Sequence, residues 1–126
     1  MTDEINNPAF PAGRSVVSVT SEIVGGVVVV SVHDVVDAAT APELSSAINE
    51  VIDGAPAGLV LDLTAVTFLA SAGMTVLMKA RERAGDLGFA VVANTPATFR
   101  PLTLLGLDSE LTICATVDEA LRRVQR

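Results

Sequence analysis

Residues 59–78 read Leu-Val-Leu-Asp-Leu-Thr-Ala-Val-Thr-Phe-Leu-Ala-Ser-Ala-Gly-Met-Thr-Val-Leu-Met, and this stretch decides the fold. Residues 59–63 are apolar apart from Asp62, which predicts a strand covered on both faces. Residues 64–70 are predicted to cross the edge of the sheet. A helix is predicted from Ser71 to about Ala84, with Ser71 as its N-cap, because a serine hydroxyl accepts hydrogen bonds from the free N–H groups of a first turn.

The predicted helix start at Ser71 differs from two others. Those two fit a capping box, in which a threonine is followed three residues later by a glutamate: Thr40 with Glu43, and Thr116 with Glu119. Ser71 has Met74 at that position, and Gly73 predicts room for another group to approach. A first turn without the reciprocal carboxylate, together with the positive end of the helix dipole, favours an anion such as a phosphate. Ser71 is therefore the candidate modification site; the plainer interpretation is an N-cap that contributes about 1 kcal/mol.

Before this stretch, valine-rich runs at 14–24 and 27–32 flank Gly25-Gly26, which predicts a two-residue hairpin. Apolar residues at helical spacing then predict a helix over 40–52 that ends at Gly54. Residues 1–13 contain Asn, Pro and Gly without periodicity, and we interpret them as a flexible N-terminal tail.

After this stretch, strands are predicted at 89–93 and 111–114. The helix between them is predicted to begin at Thr98 rather than Thr95, because Pro101 then falls in the first turn. A last helix follows Thr116. The order β-β-α-β-α-β-α-β-α predicts an α/β fold: a mixed sheet of four or five strands, an N-terminal antiparallel hairpin and about four helices, forming one domain over 14–126.

Composition and charge exclude several classes of function. The chain has 126 residues, one cysteine (Cys114) and a net charge of −7, which argues against a disulfide, a thiolate metal cluster and nucleic-acid binding. No apolar run is long enough for a membrane span, and the first residues do not resemble a signal peptide, so we expect a cytoplasmic location. Residues 15–78 hold seven acidic residues and no basic one. This favours a partner of opposite charge, or simply solubility.

Other side chains offer little for catalysis. Asp34 and Asp37 could bind a cation but are typical of a turn, and His33 has no serine or cysteine arrangement around it. Cys114 lies in an apolar strand and is interpreted as inert core. Neither a lysine-containing phosphate loop nor a G-x-G-x-x-G motif occurs. We therefore predict no enzymatic activity, no cofactor and no metal site.

Three segments resemble the STAS family (sulfate transporter and anti-sigma factor antagonist domains), especially its small bacterial anti-sigma factor antagonists. They are Val35-Val-Asp-Ala-Ala-Thr-Ala41, Leu61-Asp-Leu-Thr-Ala-Val-Thr-Phe-Leu-Ala-Ser-Ala-Gly73 and Leu104-Leu-Gly-Leu107. The middle segment is the most specific. At its end the family typically reads Asp-Ser-(Ser/Thr)-Gly, where this chain has Ala70-Ser71-Ala72-Gly73.

The resemblance implies a protein-interaction module that regulates transcription by partner switching. The unmodified antagonist would bind a serine-kinase-type anti-sigma factor and release the sigma factor. Phosphorylation of Ser71 would block this binding, and a phosphatase would restore it. The implied docking face consists of Asp37, Ala38, Thr40, Ala70, Ser71, Ala72, Gly73 and Met74.

Two alternatives stay open at this point. One is a STAS subunit of a transporter-associated or other signalling complex that is never phosphorylated, which Ala70 in place of the usual acidic residue favours. The other is nucleotide binding, for which the sequence holds no phosphate loop.

Overall fold

A mixed β-sheet with helices on both faces forms the body of the protein. The computed structural model describes residues 18–125, so the predicted tail at 1–13 and the beginning of the first predicted strand lie outside the described residues. In chain order the elements are β1 (Ser18–Val24), β2 (Val27–Val36), α1 (Ala41–Asp53), β3 (Gly58–Leu69), α2 (Ser71–Ala84), β4 (Gly88–Val92), α3 (Pro96–Leu104), β5 (Ile113–Cys114) and α4 (Val117–Val124).

The sheet has the predicted composition of strands. Within residues 18–125 its order is β1-β2-β3-β4-β5, with β1 antiparallel to β2 and all later neighbours parallel. Gly25 and Gly26 join β1 to β2 with φ values of 58° and 84°. Glycine adopts these left-handed conformations without a steric penalty, which suits a two-residue hairpin. The predicted hairpin and element order are confirmed.

The central strand β3 is longer than predicted. It continues from Leu63 to Leu69, and its second half pairs with β2 in the register Val35↔Phe68 and Val36↔Leu69. The prediction that residues 64–70 cross the sheet edge is therefore wrong. Two register shifts, between Ser31 and His33 and between Asp34 and Val35, keep β2 and β3 paired along this second half. The loop after β2 and the start of α2 consequently lie at the same end of the sheet.

Both faces of β3 are covered over residues 59–63, as predicted, whereas its second half has exposed residues such as Phe68. One face belongs to a large apolar core to which β2, α1, α2 and α3 contribute, and Leu59, Leu61 and Leu63 point into it. The other face belongs to a smaller core that contains Val60 and the α4 residue Val124. The alternation along β3 thus places α1, α2 and α3 on one side of the sheet and α4 on the other.

Two of the predicted helix starts differ in detail. The Thr40 hydroxyl makes no bond to the first turn of α1, because Thr40 has helical backbone angles (φ −96°, ψ −17°) rather than the extended ones of a typical N-cap. For α3 the N-cap is Thr95 and not Thr98: Pro96 takes the first helical position, Thr98 is buried, and Pro101 lies inside the helix. The preference for Thr98 was therefore wrong.

The last strand and helix agree more closely with prediction. β5 is limited to Ile113–Cys114, since Thr112 has a left-handed φ of 53° that interrupts the strand. The Thr116 hydroxyl accepts from the Glu119 N–H at 3.1 Å, which confirms this half of the capping box. The Glu119 carboxylate accepts from the Ala115 N–H at 3.0 Å, one residue before the expected partner.

Candidate functional site

Ser71 is the first residue of α2 and not its N-cap. The N-cap is Ala70, whose extended backbone (φ −86°, ψ 170°) is typical of that position. Alanine has no side-chain acceptor, and no side chain of the described residues caps the first turn. The predicted role of the Ser71 hydroxyl as a cap is therefore wrong: the first turn lacks any side-chain cap from the described residues, and not only the reciprocal carboxylate that Met74 was predicted to leave out. The Ser71 side chain is exposed.

The start of α2 is held firmly against the ends of two strands. The Ala70 N–H donates to the Val36 carbonyl oxygen at 2.9 Å. A Cβ added to Gly73 would lie 2.6 Å from Val36 Cγ1 and 2.8 Å from Leu69 Cδ1, so the helix approaches the sheet more closely than any larger residue would allow. The space at Gly73 is filled by the protein's own core. The prediction that an external group approaches there is wrong.

A tight turn beside Ser71 orients the residues that follow β2. Asp37 Oδ1 accepts from the N–H groups of Ala39 at 3.0 Å and Thr40 at 3.1 Å. In return, the Thr40 hydroxyl accepts from the Asp37 N–H at 2.9 Å and lies 3.2 Å from the Val35 carbonyl oxygen, to which it can donate. Reciprocal bonds of this kind fix a loop without regular secondary structure. The Asp37–Thr40 turn is therefore a rigid neighbour of Ser71.

The structure brings the eight predicted contact residues to one end of the sheet but exposes them to different degrees. Ser71 and Ala38 are exposed, and Asp37, Ala70 and Ala72 are half-buried. The remaining three, Thr40, Gly73 and Met74, are buried. These three can shape the docking face by fixing its backbone, but they offer little surface of their own to a partner.

The structure of this region differs from the prediction in two respects. Asp34, predicted in a turn, lies within β2 opposite Val66; it is exposed and has a left-handed φ of 68°, which asparagine and aspartate tolerate better than most residues. A groove of about 340 Å³ also opens beside Ser71, between α2 and the segment after α3. Its lining residues are Ser71, Met74, Thr75, Met78, Lys79, Glu82, Leu105 and Leu107. In the sequence, the groove could have been suggested by the pair Leu104-Leu105. The spacing of apolar residues in a helix does not show that both leucines are exposed, so the groove was not predicted.

The remaining candidates from the sequence are a metal site and a reactive thiol. Among residues 18–125 no three His, Cys, Asp or Glu side chains are placed to share a metal ion. Cys114 is buried, and desolvation raises the pKa of its thiol, with Glu119 acting in the same direction and Arg123 in the opposite one. No helix of the described part of the chain has the length and apolar character needed to cross a membrane.

Comparisons with known proteins agree on one family. Residues 18–120 match the STAS domain family. Anti-sigma-F factor antagonist RsfB of Mycobacterium tuberculosis is 39% identical over 110 residues, which cover 86% of this chain and 90% of that protein. The crystal structure of an anti-sigma factor antagonist from Mycobacterium paratuberculosis shares 43% identity and a TM-score of 0.85, and the match covers 91% of this chain and 98% of that chain.

A more distant structure shows how widely the fold is shared. The Bacillus cell fate determinant SpoIIAA in its phosphorylated form has a TM-score of 0.64, with the match covering 86% of this chain and 100% of that chain. At 18% identity it supports the fold alone.

Proposed function

Since this chain belongs to the STAS domain family, we propose that it is an anti-sigma factor antagonist that phosphorylation of Ser71 switches off. Two similar proteins bear the name anti-sigma factor antagonist, and the match covers 90% and 98% of their lengths, which supports the role of a regulatory binding protein. The finer proposal is that the unmodified protein binds a serine-kinase-type anti-sigma factor in the cytoplasm and that a phosphatase reverses the modification.

The observation that carries the switch is the exposed Ser71 hydroxyl at the rigid, uncapped start of α2. A kinase needs an accessible hydroxyl, and an exposed first-turn residue provides one. The same position tolerates the product, because N–H groups and the positive end of the helix dipole stabilise a phosphate. Phosphorylation is thus expected to leave the fold intact while it changes the surface.

Charge explains why the modification would oppose binding. The docking face belongs to a segment, 15–78, with seven acidic residues and no basic one. The Ala70 N–H donates to the carbonyl oxygen of Val36, the residue before Asp37, so Asp37 lies close to the start of α2. A phosphate adds about −1.5 to −2 charges to this surface, more than Lys79, which also lines the groove beside Ser71, can offset. A partner contact made at the Ser71 hydroxyl would lose both its space and its favourable electrostatics.

Phosphorylation by the anti-sigma factor tests this proposal. The protein is incubated with ATP and each kinase-type anti-sigma factor of the organism of origin, and the intact mass is measured. One phosphate is expected on the wild type and on Thr75→Ala, and none on Ser71→Ala. Thr75 is the matched control, because it is an exposed hydroxyl one turn further along α2 that donates to the Ser71 carbonyl oxygen at 3.1 Å. A phosphate that persists on Ser71→Ala places the switch elsewhere.

Ala70 supports a second candidate, a STAS subunit that is never phosphorylated, because the family typically has an aspartate at this position. Affinity capture from cells of the source organism separates the two. Recovery of an anti-sigma factor supports the antagonist, whereas recovery of transporter components without a sigma regulator supports the second candidate.

A further inference from the structure

We infer that the anti-sigma factor inserts an apolar side chain, carried on a segment that also bears a basic residue, into the groove between α2 and Leu105. This inference rests on the proposed function and names the part of the partner that the Ser71 face would receive. The groove is called the Ser71 groove below, with the lining residues given above.

One wall of the Ser71 groove is a face of α2 that the rest of the protein leaves uncovered. Ser71, Thr75, Met78 and Glu82 follow one another at intervals of three or four residues, so their side chains share one side of the helix. Lys79 and Glu82, towards the far end, are charged and limit the apolar part of this wall. Ser71 stands at the near end, next to the Asp37–Thr40 turn, so that the groove continues the proposed docking face.

The opposite wall is apolar and structurally fixed. Leu105 is 60% exposed although it is a large apolar residue. Its N–H donates to the Pro101 carbonyl oxygen at 3.2 Å, and the Leu107 N–H donates to the Leu102 carbonyl oxygen at 2.9 Å. The exposure of Leu105 is therefore part of an ordered backbone arrangement. Together with Met78 and Leu107, this leucine gives the groove a contiguous apolar lining, and such contiguous exposed patches are typical of protein-interaction sites.

Charge favours a foreign partner over a second copy of this chain. Asp37 follows Val36, whose carbonyl oxygen accepts from the Ala70 N–H, so an acidic residue lies at the Ser71 end of the groove. Lys79 and Glu82 carry opposite charges further along the lining. Two copies that met at the Ser71 end would bring their Asp37 carboxylates together and repel each other, whereas a basic residue of a partner would be attracted. A partner segment with an apolar residue for the groove and a neighbouring Lys or Arg matches both properties.

The groove also explains how one phosphate can oppose a whole interface. Ser71 is itself a lining residue, so its phosphate would lie at the mouth of the groove. An apolar side chain that enters there would have to remove water from a doubly charged group, which is unfavourable. Water and counterions bound to the phosphate would also compete with the partner side chain for the apolar wall of the groove.

Binding of the anti-sigma factor by Leu105 and Leu104 variants tests the inference. Leu104 is the matched control: it precedes Leu105, is 84% exposed, and lies outside the groove lining. Leu105→Ala is expected to weaken binding at least about tenfold, whereas Leu105→Met and Leu104→Ala stay within about threefold of the wild type. Because both leucines are exposed, the urea midpoints of all variants should agree, which separates lost contact from lost folding.

The basic residue of the partner is tested through Asp37. Asp37→Asn removes the charge but keeps an Oδ1 that can accept from the N–H groups of Ala39 and Thr40. It is expected to slow association at low salt and to approach the wild-type rate at high salt. An association rate that is unchanged at low salt overturns this part of the inference.

The two failures can be told apart. If the wild type binds no anti-sigma factor, the proposed function fails. If the wild type binds and Leu105→Ala weakens binding no more than Leu104→Ala does, only the inference about the groove is overturned. The inference is also overturned if the wild type forms a dimer in sedimentation that Leu105→Ala abolishes, because a second copy then fills the groove.

Discussion

Replacing Gly73 with alanine tests how the start of α2 is held. A Cβ at this position would lie 2.6 Å from Val36 Cγ1 and 2.8 Å from Leu69 Cδ1, well inside contact distance. Val36 is fully buried, and its β-branched side chain has few alternative rotamers, so it cannot easily move away. Such overpacking costs about 1–3 kcal/mol. Alanine recovers up to about 1 kcal/mol in helix propensity. The expected net loss in the free energy of unfolding is about 1–2 kcal/mol.

Urea unfolding followed by far-UV circular dichroism measures this loss. With a denaturant dependence of about 2 kcal/mol per molar urea, the midpoint of Gly73→Ala should fall by about 0.5–1 M. Gly54→Ala is the matched control, since Gly54 caps α1 with a φ of −77° and the nearest atom to an added Cβ, Val51 O, is 3.4 Å away. Its midpoint should stay the same or rise slightly. A Gly73→Ala midpoint equal to that of the wild type would refute the packing argument.

Three further substitutions probe the caps and the buried thiol. Ala70→Ser should raise the free energy of unfolding by about 1 kcal/mol, because the extended N-cap backbone places the new hydroxyl near the free N–H groups of α2; an unchanged urea midpoint contradicts this. Thr116→Ala should lower that free energy by about 1 kcal/mol and Thr116→Ser should not, because the hydroxyl accepts from the Glu119 N–H; equal losses in both variants count against the cap. Burial raises the pKa of Cys114, so the folded state favours the neutral thiol. The contribution of this thiol to the free energy of unfolding is complete below the ordinary thiol pKa and is lost as the pH rises through the raised value. The stability difference between wild type and Cys114→Ala should therefore shrink at alkaline pH, and a constant difference up to about pH 10 argues against it.

The order and type of the elements could be predicted because each depends on a local pattern. Apolar residues at helical spacing identify α1 and α4, and two glycines between valine runs identify the first hairpin. The first and last residues of a strand were harder to predict where pairing with a neighbouring strand decides them. β3 continues to Leu69 because β2 offers paired backbone there; the β-branched and aromatic residues among 64–69 favour a strand but do not show where the pairing ends.

The helix starts show why some local signals mislead. A threonine followed by a glutamate predicts a cap only if the threonine backbone is extended, as it is at Thr116 but not at Thr40. Thr40 instead bonds back to Asp37, which a one-dimensional pattern does not distinguish from a cap. At Ser71 the pattern located the helix start to within one residue but assigned the N-cap to Ser71, whereas the N-cap is Ala70.

The candidate site was predictable in its centre but not at its borders. The segment 70–74 could be located from its sequence, and its exposure at Ser71 agrees with that prediction. The groove depends on Leu105, which is about thirty residues further along the chain and comes near Ser71 only through the packing of α3. Contacts between distant segments of this kind have no local signature in the sequence.

The affinity of one anti-sigma factor for the unmodified and the Ser71-phosphorylated protein tests the central claim most directly. Titration calorimetry with both forms, prepared from the same protein and separated by mass, gives the two dissociation constants. We expect phosphorylation to weaken binding at least about 100-fold, equivalent to about 2.7 kcal/mol. Equal affinity of the two forms would contradict the claim that Ser71 controls the docking face.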